Sequence, residues 1–510
     1  QAAERNARPP FGMWGVIRFA AQAGAKARGT GLGCVVEETQ VFGACVTGWT
    51  AWAAIHAGGD HSVDKAAICG DISGLDLLQA LPGQTVWRCM DHCRVSPGCL
   101  LSMLPAADRG CIRYLATESA AGHHRLLCHL PDGFCSMVPK RLRSINDVDA
   151  ASWDALLAAD YPFLCHGFLR ALEESGAVCA ASGWEPAHRV VEQDGELLAL
   201  MPLYRKSHSW GEYVFDWQWA EAWERAGQRY YPKYLSAAPF SPVQGPRLIA
   251  RDPAAAGALL GGLDAEFLAG EVSSLHLLFN LGAENDLLQE HGWLQRLGCQ
   301  FHWYNRDYQC FDDFLAACNS RKRKNFRKER QVIHDQGVEF RWLTGEQLDE
   351  AVWRQFYPFY AATYYKRGQE PYLPAEFFIL LNRYCQASVR LLFAMQGERP
   401  VAGALFLVGG DTLYGRYWGC LEEFDRLHFE TCFYQGMERC IAEGLKRFDA
   451  GAQGEHKLVR GFEPVLTQSW HKLQPGLHGA VADFLLRERA GVKAYQQEAI
   501  SYLPFRQAAE

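Results

Sequence analysis

No stretch of about 20 apolar residues free of charge and turn formers, the length a membrane helix needs, occurs in the 510-residue sequence. The nearest approach, 41–58, is interrupted by Gly43, Thr47, Gly48, Thr50 and His56. The beginning of the chain lacks a clean apolar run followed by a small-residue cleavage site, so a secretory signal is not expected. An excess of positive charge is also lacking. The formal net charge is −7, which argues against a protein that coats nucleic acid along its length. These features point to a chain that acts in the cytoplasm. Metal-site spacing is missing too: no His-Glu-x-x-His occurs, and no metal ligand set is expected after Met137.

What is present is uneven. Nine of the 18 cysteines (Cys34, Cys45, Cys69, Cys89, Cys93, Cys99, Cys111, Cys128, Cys135) precede Met137. Residues 1–136 follow neither helical nor strand periodicity for long. Three readings compete for them: a Cys/His metal module around Cys89, His92, Cys93 and Cys99, a disulfide-rich domain, or translated upstream sequence ahead of Met137. The last is favoured, because the chain opens on Gln and regular patterning starts at Met137.

Patterning then continues to the end. Asp149 or Ser152 is placed to cap a short helix, and a helix over 168–175 closes at Gly176. Asp194-Gly195 predicts a hairpin between 188–192 and 196–204. The aromatic-rich stretch 213–234 reads as core, yet Asp216 and Lys233 within it need partners. A Pro/Gly loop over 239–247, a helix over 253–268 and a doubly buried strand over 274–280 follow. A short helix and turn are expected over 284–298, a strand over 301–310, and a helix from Phe311 through 326 into the following basic run. That run, 321–330, holds seven cations and one acid. Like charges at i,i+4 repel by tenths of a kcal/mol per pair, so Arg321 and Lys324 are candidates for a phosphate-bearing partner. Beyond it come a strand over 338–343, helices over 348–363 and 374–385, three strands within 389–418, and a helix over 429–444. That helix feeds a short strand ending at Asp449.

The stretch from Phe448 to Pro464 combines three glycines with Gln453, Glu455, His456, Lys457 and Arg460. Glycine permits close backbone approach, and the polar residues supply the roles that acyl transfer requires. Either Glu455 or His456 is expected to help deprotonate an attacking ammonium. Lys457 and Arg460 would stabilise carbonyl or phosphate charge, and Gln453 would orient the acceptor. His428 and Glu430 would form a second acid/base pair, unless they merely cap their helix. Asp216 and Lys233 are secondary substrate-binding candidates. Two rival chemistries are weaker: a metallohydrolase using His428, Glu455 and His456, and a cysteine nucleophile at Cys420 or Cys432.

Several motifs together carry a family resemblance: Pro162-Phe163-Leu164, Gly211-Glu212-Tyr213-Val214-Phe215-Asp216-Trp217, Tyr230-Tyr231-Pro232-Lys233, Pro242-Val243-x-Gly245-Pro246-Arg247, and Gly451-Ala452-Gln453-Gly454-Glu455-His456-Lys457. From about 153 to 464 the chain resembles the FemAB-like branch of the GNAT superfamily of N-acyltransferases. The resemblance implies an α/β (α+β) fold of two tandem GNAT-like domains with mixed sheets flanked by helices, at 137–298 and 299–510, with a substrate channel between them. It implies transfer of an acyl or aminoacyl group to an amine, with a peptidoglycan precursor as the candidate acceptor. The donor would be aminoacyl-tRNA or acyl-CoA, with no tightly bound cofactor. The Gln/Arg-x-x-Gly-x-Gly/Ala loop by which CoA-using relatives hold pyrophosphate does not occur after Met137. A non-catalytic peptidoglycan- or carbohydrate-binding protein on an inherited fold is the other reading. The sequence leaves the oligomeric state open.

Overall fold

The computed structural model describes residues 137–157, 160–452 and 454–506. Ahead of them it describes the backbone of two antiparallel strand pairs, Leu78–Ala80 with Gln84–Val86 and Arg113–Thr117 with Arg125–His129. The metal-module and disulfide readings of residues 1–136 otherwise lie outside the described residues.

From Met137 onward the fold is mixed α/β, built on one eleven-stranded sheet. Across it the strands run Val338–Leu343, Val389–Gln396, Arg399–Gly409, Thr412–Cys420, Arg447–Asp449, Leu294–Tyr304, Glu463–Leu473, Ser274–Asn280, Lys233–Ser236, Tyr204–Lys206 and Trp184–Pro186. A four-stranded sheet formed by Ile249–Ala250, Glu196–Met201, Arg189–Gln193 and Lys140–Arg141 adjoins it in sequence. The expected hairpin turns at Asp194 and Gly195, with φ of 53° and 79°, as a two-residue turn of this hand demands.

Two strand–helix–strand units recur within the large sheet. In one, Tyr234–Ser236 lies parallel to Leu275–Leu277, and the helix Pro253–Leu268 connects them. In the other, Thr412–Tyr414 lies parallel to Arg447–Asp449, and the helical segment Leu427–Ala442 connects them. Such parallel neighbours need a crossover, and a helix covering the sheet supplies it. Asp252 caps the first of these helices by accepting from Ala255 N at 2.8 Å.

Four elements differ from the sequence expectation. The strand predicted over 301–310 runs over Leu294–Tyr304 instead, so the expected domain division at 298/299 falls inside it. Gly298, which reads as a turn former, is needed for close cross-strand approach: a Cβ there would lie 2.8 Å from Thr467 Oγ1. The helix predicted from Phe311 into the basic run breaks into Phe311–Ala317 and Ser320–Asp335. Asn319 restarts the second by accepting from Lys322 N at 3.0 Å. Finally, the strand Glu463–Leu473 and the helix Pro475–Ile500 were not anticipated. That strand lies between Leu294–Tyr304 and Ser274–Asn280, antiparallel to both, and joins the two halves into one sheet. No helix among the described residues is long and apolar enough to cross a membrane.

Candidate active site

The two strands of the second unit part early. Their pairing ends at Tyr414 and Asp449, while the first continues to Cys420. Just past that point, Leu405 pairs with Tyr417 and Phe406 with Gly415, leaving Arg416 as an extra residue without a cross-strand partner. Such a bulge re-aims a side chain. The Arg416 guanidinium donates from Nη2 to Asp449 Oδ2 at 2.8 Å and from Nη1 to Gly415 O at 2.8 Å. Both side chains are buried, at 1% and 2% exposure. Arg416 holds the Asp449 carboxyl well below the usual carboxylate range despite its burial. Asp449 Oδ1 also accepts from Gly451 N at 2.9 Å, which shapes the start of the loop.

Lys457 lies in this loop and is buried. Its Nζ donates to the carbonyls of Ala450 at 2.9 Å and Gly451 at 2.6 Å. No carboxylate among the described residues forms an ion pair with it. Burial pulls the Lys457 ammonium down to about 7; Asp449 opposes this and Arg416 adds to it. The approach is through backbone. Gly451 has φ of 85°, and a Cβ there would find nothing within 4 Å except Gly415 O at 3.7 Å. His302 completes the group. Its Nε2 lies 3.9 Å from Asp449 Oδ1, Nδ1 is buried without a partner, and burial lowers the imidazole to about 4.

The sequence-predicted residues divide around this centre. His456 and His428 come together with ring centroids 5.9 Å apart, packed with Phe429 and Phe433. His456 is exposed by area, yet packing of its ring, with the Lys457 and Arg460 charges, holds the imidazole at about 4. Burial and the same neighbours, His456 included, put His428 at about 4 as well. Arg460 is buried and fully engaged. It grips both oxygens of Glu329 at 2.8 and 2.9 Å and donates to Tyr434 Oη at 3.0 Å and His456 O at 2.9 Å. Glu430 turns away from His428 and binds Arg330 at 2.9 Å and Gln435 Nε2 at 2.9 Å. It begins a π-helical turn, Glu430–Tyr434, a local widening frequent at functional sites. Glu455 is exposed and accepts from Tyr495 Oη at 2.9 Å. Gln453 lies outside the described residues. Cys432 is half-buried, and desolvation pushes its thiol well above its ordinary value, which disfavours a thiolate nucleophile.

Asp216 and Lys233 belong to the first half. Lys233 Nζ donates to Asp216 Oδ2, to Glu212 Oε2 at 2.7 Å and to Ser209 Oγ at 2.7 Å. Tyr230 Oη donates to Asp216 Oδ2 at 2.6 Å. Lys233 and Asp216 are 0% and 3% exposed, so their charges are met by each other and by Glu212. Beside them His276 and His471 share a 2.7 Å Nδ1–Nδ1 contact.

Arg321 and Lys324 are exposed on the basic helix, as is Lys328. None of the three pairs with a carboxylate among the described residues, whereas Arg327 pairs with Asp312 and Arg330 with Glu430 and Glu438. Spacings of three and four place the three free cations on one helix face.

The residues that sequence reasoning missed are Arg416, Asp449 as a partner rather than a strand end, and His302. A trace of Arg416 was visible: Gly415-Arg416-Tyr417-Trp418-Gly419 sets one cation inside an otherwise apolar strand.

Two strand–helix–strand units with parallel strands thus recur in one sheet, and in the second the strands part where Arg416 meets Asp449. The chain belongs to the FemAB-like family, described as peptidoglycan biosynthesis/recognition, whose model matches residues 144–507. No curated protein matches it. Among solved structures it is similar to FemX at 12% identity, over 68% of this chain and 99% of that one, with a TM-score of 0.42. L-PGS from Bacillus licheniformis is similar at 10% identity, over 64% of this chain and 96% of that one, with a TM-score of 0.39. A tandem GNAT protein from the clavulanic acid biosynthesis pathway matches at 11% identity, over 66% of this chain and 98% of that one, with a TM-score of 0.35.

Proposed function

We propose that the protein is an N-acyltransferase that moves an acyl or aminoacyl group from an activated ester or thioester to an amine, with Lys457 at the centre of the reaction. One observation carries this: a buried lysine without a carboxylate partner among the described residues sits where two parallel strands part. A lysine near pH 7 in its ionisation is half neutral at that pH and can take a proton from an attacking ammonium. The amine then forms the new N–C bond, the Lys457 ammonium passes its proton to the leaving oxygen or sulfur as the donor's C–O or C–S bond breaks, and the Lys457 amine so regained takes the second proton, from the new amide nitrogen. Arg416 Nε is buried without a hydrogen-bond partner among the described residues, which makes it the donor for a developing oxyanion. His428 and His456 are uncharged at neutral pH, and they line the approach. The expected tandem domains, divided near 298/299, would set an acceptor channel against this centre.

Family membership supports a peptidoglycan precursor as acceptor. The cations Arg321, Lys324 and Lys328 support a donor with phosphates, aminoacyl-tRNA or acyl-CoA. The test supplies each donor with an amine-bearing muropeptide and follows product by mass spectrometry, comparing native protein with K457M and R416Q. Transfer by the native protein and its loss in K457M support the reading. Muropeptide binding without transfer from either donor overturns it in favour of a recognition protein.

A further inference from the structure

The helix His166–Glu174 packs against the helix Ala375–Cys385 within one buried core. Gly167 sets how closely they approach. A Cβ there would lie 2.9 Å from Tyr384 Cβ and 3.2 Å from Cys385 Sγ, tighter than ordinary contact. Cys165 directly precedes the first helix and Cys385 ends the second. Their sulfurs meet at 3.6 Å, although the residues are 220 positions apart in the chain. Both are free thiols.

The two thiols are not alike. Cys165 is half-buried, whereas Cys385 is 8% exposed. Cys165 Sγ donates to Pro162 O at 3.1 Å, so the proton between the two sulfurs belongs to Cys385. That hydrogen bond from Cys385, with the Phe168 and Gly167 N–H groups at the helix start, holds the Cys165 thiol below its ordinary value; burial and Asp154 oppose it. The same bond, with burial, raises Cys385. One sulfur is thus set to attack while its neighbour keeps its proton, the division of labour in an oxidisable thiol pair.

We infer that Cys165 and Cys385 are a reversible oxidation site, where a peroxide converts the pair into a disulfide joining the two helices. The Cys165 sulfur attacks one peroxide oxygen. An S–O bond forms, the O–O bond breaks, and the leaving hydroxide takes the Cys165 proton and departs as water. The Cys385 sulfur then attacks the Cys165 sulfenic acid. The S–S bond forms, the S–O bond breaks, and the departing hydroxide leaves with the Cys385 proton as a second water. Two electrons pass from the thiols to the peroxide, and a dithiol reductant returns them. The bond closes a loop of 220 residues, and long loops lose most unfolded-state freedom when closed. The inference is independent of Lys457 and of any transfer reaction.

The test treats the full chain with a small molar excess of hydrogen peroxide, alkylates remaining thiols in urea, and digests it without reduction for mass spectrometry. Thermal unfolding is followed in parallel for native protein, C165S and C385S. A 165–385 cross-linked peptide is expected from the native protein, with an unfolding midpoint raised by at least about 3 °C and restored by dithiothreitol. C385S should stop at a Cys165 sulfenic acid, trapped by dimedone, with no rise in midpoint. Recovery of Cys165 and Cys385 as alkylated thiols while the exposed Cys310 is oxidised overturns the inference. So does a cross-link from Cys165 to any other cysteine, or an equal rise in midpoint in C385S. The peptide readout uses the native chain alone, so it decides the matter even where a variant fails to fold.

Discussion

Arg416 and Asp449 form a closed ion pair, 2.8 Å between Nη2 and Oδ2, bridging two parallel strands just where they separate. The bulge frees Arg416 and the strand end presents Asp449. The pair fixes the floor on which the Ala450–Arg460 loop stands. Removing one partner leaves the other charged and buried, which typically costs 3–5 kcal/mol. R416Q and D449N are each expected to lose about 3 kcal/mol in urea unfolding, and the double variant less than the sum of the two. The pH dependence has a definite sign. Asp449 is held below its unfolded value, so its stabilisation is present above the ordinary carboxylate range and is lost as pH falls through the folded value. Acid unfolding of D449N should lack that contribution.

Lys457 behaves oppositely. Its folded ionisation, about 7, lies below that of an unfolded lysine, near 10.4. Between those values the unfolded chain binds more protons, so stability rises with pH over that window. K457M should be at least as stable as the native protein at pH 7, and its stability should change less between pH 7 and 10. Its transfer rate should fall by roughly 10²–10⁴. Native activity should rise with pH through about 7, a limb missing from K457M.

Arg460 has a fork of donors already met by Glu329, Tyr434 and the His456 carbonyl. R460A is expected to lower stability by about 3 kcal/mol or more, and R460K to recover little, because an ammonium cannot reproduce the bidentate contact. Thermal unfolding of R460A, R460K and E329Q measures this; equal stability of all three with the native protein would show that the fork holds nothing.

Charge reversal on the exposed face of the basic helix should separate donor binding from folding. R321E, K324E and K328E combined should leave the unfolding midpoint within a few degrees of native. Affinity for a phosphate-bearing donor should fall, and the salt dependence of binding should flatten, as expected when counterion-releasing contacts are removed. Glu455, exposed and bonded to Tyr495, should tolerate Gln with less than about a threefold change in rate, since it meets only a surface phenol.

Much of the framework was legible because local signals were strong. Asp194-Gly195, the apolar run 274–280 and the Asp252-Pro253 helix start are decided by their own chemistry. The loop around Lys457 was visible as an unusual density of glycine and charge. What the residues around it do was not visible, because that depends on partners far away in sequence. Arg460 looks free until Glu329 is folded against it, and Glu430 looks like a base until Arg330 reaches it. Arg416 needed the register of three strands before its bulge appeared. The strand Glu463–Leu473 was missed for a related reason. Pro464, Thr467, Gln468 and His471 suit a strand buried in the middle of a sheet only when polar neighbours such as Asn285 and His276 are brought beside them.

That last strand also sets the order in which the protein can be completed. Ser274–Asn280 gains its second neighbour only when residues nearly 200 positions later have been made, and the contact between His276 and His471 spans 195 residues. During synthesis, which proceeds from the N-terminus, the first half waits with one edge of its sheet uncovered. Contacts of such long separation form slowly, and an uncovered strand edge invites pairing with other chains. A ribosome stalled or a chain cut before Leu473 would therefore release a first half that is assembled in sequence but unfinished in space, and truncation there should yield aggregate rather than an independent domain.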